Sequence, residues 1–329
     1  MDTAALQGSA TGEGRRACLQ RLAVALCAGG GPWLGARAQG VRAESLAVLY
    51  PEIGEPFRAI FAKILEGIDD RLQARVLRVA VPAEADMAGL AADMQRREPK
   101  LVIALGRAGL RLASVLDRRI EVVAGGVISP SEAEARDATV HSLAPDPLLL
   151  MQRLKGLLPG VKRVSVAYSA RHSAWLMRFA QDAARQLGLE LQAQEVGDLK
   201  AALRHYQEFF AQASPQHALW LPQDPLSVDE STVLPLVLQE SWNHGVPLFS
   251  SNLGHVRRGA LFALYPNNLE LGRSLGGSAL ARLAGNAGPR SALPLRDVHA
   301  ALNTRTASHL GLDLSPRLQQ AFELLLPER

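Results

Sequence analysis

The sequence predicts an α/β protein built of two doubly wound parallel-sheet lobes. Three observations predict it. From residue 45 onward, short apolar runs alternate with stretches whose apolar residues recur at helical spacing. The run from Leu101 to Leu105 is apolar throughout, as expected of a strand covered on both faces. A polar break ahead of residue 140 divides the alternation into two series, and each strand–helix pair fits a right-handed βαβ unit.

Each element follows from its pattern. Residues 46–50 form the first strand. A helix over 55–72 carries Phe57, Ile60, Phe61, Ile64, Leu65 and Ile68 on one face. Strand 76–81, helix 87–97, strand 101–105, helix 108–116 and strand 120–124 complete the first series. Residues 129–137 are polar, 139–143 extended, and Pro145 and Pro147 punctuate. The second series runs through helix 148–158, strand 161–168, helix 174–187, strand 189–196, helix 199–213, strand 218–221, helix 232–243 and strand 246–250. The tail adds strand 259–265, a Gly- and Ala-rich helix over 270–283, a loop over 286–294, strand 298–302 and a short helix at 306–310. Trp175 and Trp220 fall inside elements and read as packing.

The first 38 residues read as an export leader. Arg15 and Arg16 precede an apolar stretch from Leu22 to Ala28, a Gly-rich bend follows, and Ala36 and Ala38 form a small-residue cleavage site. The apolar stretch is well short of the roughly 18 residues a spanning helix needs. Cleavage after Ala38 makes Gln39 the mature N-terminus and places the protein in the periplasm. The paired arginines partly match a twin-arginine signal, so both that route and the general secretory route stay open. Both cysteines, Cys18 and Cys27, lie in the leader, and the mature chain carries neither disulfide nor thiol chemistry. Of the 36 basic and 32 acidic residues, four and two fall within the leader, which leaves a near balance of 32 against 30. With no basic run interleaved with aromatics, nucleic acid is not an expected partner.

The tail also carries a resemblance. Gly259-Ala260, Leu271-Gly272-Arg273, and the stretch from Leu302 and Asn303 through Ala307 to Gly311 resemble the end of the ABC-transporter substrate-binding family of the tryptophan-receptor type. Pro247 to Asn252 falls where that family has a strand leading to a ligand loop, and the order of elements is similar from about Ser45 to the end. The resemblance implies a type I periplasmic-binding-protein fold with three hinge crossings, near 140, 254 and 297. Lobe 1 would then hold residues 45–140 and 255–296, and lobe 2 residues 141–254 and 297–329. It further implies a monomer that closes on a small polar molecule and delivers it to a membrane permease. The stretch from Tyr50 to Pro56, and Pro266-Asn267-Asn268, depart from the family pattern, so an amino-acid ligand does not carry over.

In open α/β sheets, ligands sit beyond the carboxyl ends of the strands. That rule selects Tyr50 and Glu52, Gly106 and Arg107, Gly125, Tyr168 and Ser169, Asp224, the trio Ser250, Ser251 and Asn252, and Tyr265. Arg107 suits a carboxylate, Asp224 an ammonium or hydroxyl, and the trio a polar group. Each also has a structural reading: surface cation, turn former, helix cap or core aromatic. No dinucleotide fingerprint, Walker loop, nucleophile elbow or metal-binding histidine pattern occurs, so no cofactor, metal or catalytic residue is expected. A periplasmic sensory component and a Rossmann-like enzyme are the competing readings. DNA-binding regulators with similar lobes carry a helix pair where this chain has its leader.

Overall fold

The computed structural model describes residues 45–74 and 76–327. The expected leader, its paired arginines, both cysteines and the cleavage point after Ala38 lie outside the described residues.

The first series comprises β1 (Leu46–Pro51), α1 (Phe57–Leu72), β2 (Leu77–Val81), α2 (Met87–Arg97), β3 (Leu101–Leu105), α3 (Gly106–Ala113), β4 (Glu121–Val127), α4 (Glu132–Asp137) and β5 (Thr139–Pro145). The second comprises α5 (Pro147–Leu157), β6 (Arg163–Tyr168), α6 (Ala170–Leu187), β7 (Glu190–Glu195), α7 (Leu199–Ala211), β8 (His217–Leu221), α8 (Val233–His244), β9 (Leu248–Ser250), α9 (Leu253–Arg258) and β10 (Phe262–Pro266). The chain then adds α10 (Asn268–Leu283), β11 (Ala292–Leu295), β12 (Val298–Asn303), α11 (Thr304–His309), α12 (Pro316–Gln319) and β13 (Leu324–Leu326). A six-stranded sheet has the order β11-β5-β4-β3-β1-β2, and a seven-stranded sheet the order β13-β12-β10-β9-β8-β6-β7. The paired strands run parallel except β10 against β12. Two parallel-sheet lobes are therefore what the sequence builds.

Period-two alternation sorts the apolar strands between two helical layers. In the first lobe, Ala47, Leu49, Val102 and Ala104 pack with Met94 and Leu110. Leu46, Val48, Leu101 and Ile103 turn the other way, onto Ile64 and Ile68 of α1 and Leu271 and Leu275 of α10. In the second lobe, Trp220, Phe249 and Phe262 stack across neighbouring strands with ring centroids 6.5 and 5.3 Å apart. Trp220 is thus core, and Trp175 packs edge-on to Phe179.

Among the described residues, three segments cross between the sheets. The first follows Pro145, and the third lies between Leu295 and Val298. The second departs from expectation. It lies between Pro266 and Asn268 rather than near 254, because β10 pairs parallel to β9 in the second sheet. Ala260 and Leu261 are fully buried there, and Leu261 bonds through its backbone to Leu248 on one side and Asn303 on the other. An apolar run at 259–265 suits either sheet equally, so pattern alone cannot place the crossing. The segment read as loop at 286–294 contributes β11, an edge strand beside β5.

The crossings orient the sheets. β5 leaves the first sheet at its carboxyl end, and Asp146 already caps α5 of the second lobe. β10 leaves the second sheet at its carboxyl end and leads into α10, which packs against α1 of the first. The carboxyl ends of the parallel strands of both sheets thus border one inter-lobe space.

Candidate functional site

The three crossings are tied to one another beside that space. Asp146 N–H donates to Leu295 O at 2.8 Å, and Asn267 N–H to Asp297 O at 2.9 Å. Ser274 Oγ donates to Asp297 Oδ2 at 2.5 Å, and Arg296 lies 3.9 Å from Asp146. Each crossing is therefore coupled to at least one other, as a hinge shared by two rigid lobes requires.

On the first lobe, a glycine with positive φ follows β3 directly and another stands one residue before the end of β4: Gly106 at 66° and Gly126 at 74°. Only glycine adopts that conformation without strain. A Cβ on either would stand 3.1 Å from the Phe61 ring, and one on Gly126 would also stand 3.2 Å from Gly106 N. Phe61 thus lies across two bare backbone segments and makes a flat apolar floor. Tyr50 and Phe61 both pack against the same core cluster. Ile53, Phe57 and Ile128, in the loops and helix start just beyond β1 and β4, are 40%, 54% and 40% exposed.

Several sequence-selected residues have other employment. Gly125 is not the open glycine of its pair: its Cα faces Leu275 of α10, where a Cβ would come within 2.9 Å. Arg107 does not stand free as a carboxylate clamp. Its guanidinium donates to both Glu134 oxygens at 2.7 and 2.9 Å and to Ser129 O. Burial pushes the Glu134 carboxyl up, but the Ser131 backbone N–H and Arg107 outweigh it and hold it below the usual range. Glu52 is exposed, with its backbone N–H on Val81 O.

On the second lobe, Asp224 is buried and saturated. It accepts from Ser169 N at 2.8 Å, from Ser169 Oγ at 2.8 and 3.0 Å, from Leu226 N at 3.1 Å and from Ser227 N at 3.2 Å. It stitches the end of β6 to the turn after β8 instead of waiting for a ligand ammonium. The serine pair is equally committed. Ser250 is wholly buried; its Oγ lies 2.7 Å from His255 Nδ1 and 3.2 Å from Leu221 O, and accepts from Asn252 N at 3.0 Å. Ser251 Oγ accepts from Trp220 Nε1 at 3.1 Å. Asn252 caps α9 through Gly254 N at 2.8 Å. Tyr168 reaches Glu195 at 3.5 Å along the sheet; burial and Glu195 both raise its hydroxyl pKa. Tyr265 sits against His299 of β12, ring centroids 5.5 Å apart.

Ser250, His255 and Glu230 follow one another as in a hydrolytic triad, with His255 Nε2 3.2 Å from Glu230 Oε1. Ser250 Oγ has no access to a substrate, however, because the residue is fully buried. The set works as a brace between β9 and α9.

Sequence reasoning passed over Phe61, His172 and Gln223, and of the pair Gly125-Gly126 at the end of the fourth strand it selected the first. Phe61 read as helix core, and His172 belongs to no motif. Gln223, just past β8, holds a buried Oε1 without a hydrogen-bond partner among the described residues.

A family model described as ABC transporter substrate binding protein matches residues 146–322. A substrate-binding domain from Streptococcus pneumonia, solved with L-Trp, is 16% identical over 86% of this chain and 99% of its own, with a TM-score of 0.53. A ligand-free, open substrate-binding protein with adhesive properties from Clostridium difficile is 16% identical over 85% of this chain and 98% of its own, with a TM-score of 0.62. A conserved domain protein from Vibrio cholerae is 15% identical over 86% and 99%, with a TM-score of 0.52. No curated protein matches the sequence. At these identities the solved structures show a shared fold.

Proposed function

Because the chain belongs to the family of ABC transporter substrate-binding proteins, we propose that it is a non-catalytic periplasmic receptor that closes on a small polar ligand and delivers it to an ABC-type permease. The observation that carries the reading is the convergence of both sheets' carboxyl ends on one space, with three mutually tied crossings at its edge. A ligand touching both lobes favours the closed state, whereas one touching a single lobe shifts nothing. Among the described residues no helix is long and apolar enough to cross a membrane. The ligand contacts we propose are Gly126 and Phe61 on lobe 1, with Gly106 and Tyr50 behind them, and on lobe 2 the partly exposed His172, which the buried Ser169–Asp224 corner supports.

The test is native mass spectrometry of protein purified from its own host, followed by X-ray scattering with and without the compound released. A bound small molecule that shrinks the radius of gyration supports the reading. Protein that carries no compound and keeps one radius in every metabolite mixture tried would count against it.

A further inference from the structure

His172 stands in the first turn of α6, at the carboxyl end of β6, with its side chain 28% exposed. Its Nδ1 lies 2.9 Å from Ser169 Oγ. Ser169 Oγ in turn lies 2.8 and 3.0 Å from the two oxygens of the buried Asp224. Proton counting decides the direction of this chain. An ionised carboxylate only accepts, and a serine hydroxyl has one hydrogen. That hydrogen goes to Asp224, so the contact between Ser169 and His172 requires the hydrogen on His172 Nδ1. In the neutral ring, Nε2 is then bare. We infer that the Ser169–Asp224 relay locks His172 as its Nδ1–H tautomer, so that lobe 2 presents Nε2 to the cleft as a fixed acceptor for an N–H or O–H group of the ligand.

The relay runs opposite to a hydrolytic triad. There the serine gives its hydrogen toward the histidine and the carboxylate orients the ring. Here the serine gives it to the carboxylate and is itself buried, so Ser169 and Asp224 are positioning residues, and His172 is the group that meets the ligand. A second-neighbour hydrogen bond that fixes a ring's tautomer also fixes what the outer nitrogen recognises. A bare Nε2 on a partly exposed ring gives this wall an acceptor. It selects an ammonium or a hydroxyl and repels a carboxylate. This class rests on the proposed ligand cleft; the tautomer does not.

The experiment is a long-range proton–nitrogen correlation spectrum of the mature protein, labelled with 15N-histidine, at neutral pH without ligand. His172→Phe assigns the ring. The expected pattern is a protonated Nδ1 and a bare Nε2, and a protonated Nε2 overturns the relay. The same sample is then titrated with the proteinogenic amino acids and polyamines as ammonium probes, and with monosaccharides and polyols as hydroxyl probes. Binding should move the Nε2 resonance upfield. His172→Phe should lose at least about tenfold in affinity, and His172→Gln, which keeps an acceptor at that position, should retain most of it. A probe that binds equally to His172→Phe and leaves Nε2 unmoved overturns the recognition role. Failure of every probe in both arms overturns the stated ligand class. Failure of the cleft reading is seen separately, as protein that carries and closes on no compound of any kind.

Discussion

Gly67 and Gly272 press against each other where α1 meets α10: a Cβ on Gly67 would stand 3.0 Å from Gly272 Cα, and one on Gly272 2.9 Å from Gly67 Cα. The nearest atoms are closer still, Leu269 O at 2.0 Å and Ile64 O at 2.1 Å. Both are backbone, so no rotamer change relieves the collision. This contact fastens the segment returning from lobe 2 onto lobe 1. Gly67→Ala or Gly272→Ala is expected to destabilise the protein by about 3 kcal/mol or more, the upper end of overpacking costs. Urea unfolding monitored by circular dichroism checks it. A loss below about 0.5 kcal/mol would mean the helices can part freely.

Ser250→Ala is expected to lower the stability of the ligand-free protein by about 1–3 kcal/mol, because it leaves the Asn252 N–H and the buried His255 ring short of a partner. Asp224→Ala strands three backbone N–H groups and should cost at least as much. From the sequence, Ser250 and Ser251 read as ligand contacts, a role whose loss leaves the melting temperature of the free protein unchanged. Thermal melts without ligand separate the two roles.

The difference shows what a single sequence can reveal. The strand from Leu46 to Leu49 is legible because every side chain is apolar; which face each residue joins is not, since α1 and α10 cover one face and α2 and α3 the other. The carboxyl-end rule selects the rim of each sheet that borders the inter-lobe space. It did not tell inward from outward, and a step of one residue reverses that: Gly125 meets Leu275, whereas Gly126 meets Phe61. Asp224 and Ser169 were both selected, yet the bond that occupies them spans 55 positions. α4 went unread despite its Ser131–Glu134 capping box, because none of its residues is buried and it has no apolar stripe. Short edge strands such as β11 and β13 carry too few residues for a period to register.

Acid should weaken the fold well before the carboxylates titrate. Burial depresses the pKa of His141, His205, His217 and His255, against opposing pulls from Asp297, Glu208, Glu190 and Glu230 respectively; Arg163 and Arg258 add to the depression at His217 and His255. In the unfolded chain these rings take protons near the usual histidine value of roughly 6.5, whereas in the folded chain they resist to lower pH. The unfolded state therefore binds more protons in that window, and stability rises with pH across it. The contribution is complete above about pH 6.5 and is lost as pH falls through the folded values. Urea midpoints at pH 7.5, 6.5 and 5.5 should decline in that order. His141→Gln, which can keep a bond to Ser278 without titrating, should flatten the decline; an unchanged slope would assign it to the other three rings.

The exposed apolar residues at the rim of lobe 1 lead to the last prediction. Ile53, Phe57 and Ile128 are 40%, 54% and 40% exposed, so none is needed to fill a core, and single exposed apolar side chains are ordinary. What sets these three apart is their place: all lie just past β1 or β4, at the sheet end that borders the inter-lobe space. Closure would cover them, and covering apolar surface gains about 25 cal/mol per Å². Phe57→Ser should therefore leave the melting temperature of the free protein within about a degree, while weakening binding of the co-purified compound by roughly fivefold, about 1 kcal/mol. Val115→Ser serves as the control. Val115 is 51% exposed but follows α3, away from the carboxyl ends, so it should change neither quantity. Calorimetric titration and thermal melts on the three proteins give the comparison. If Phe57→Ser and Val115→Ser bind alike, the rim of lobe 1 is not covered on closure, and the apolar floor at Phe61 would have to hold the ligand alone.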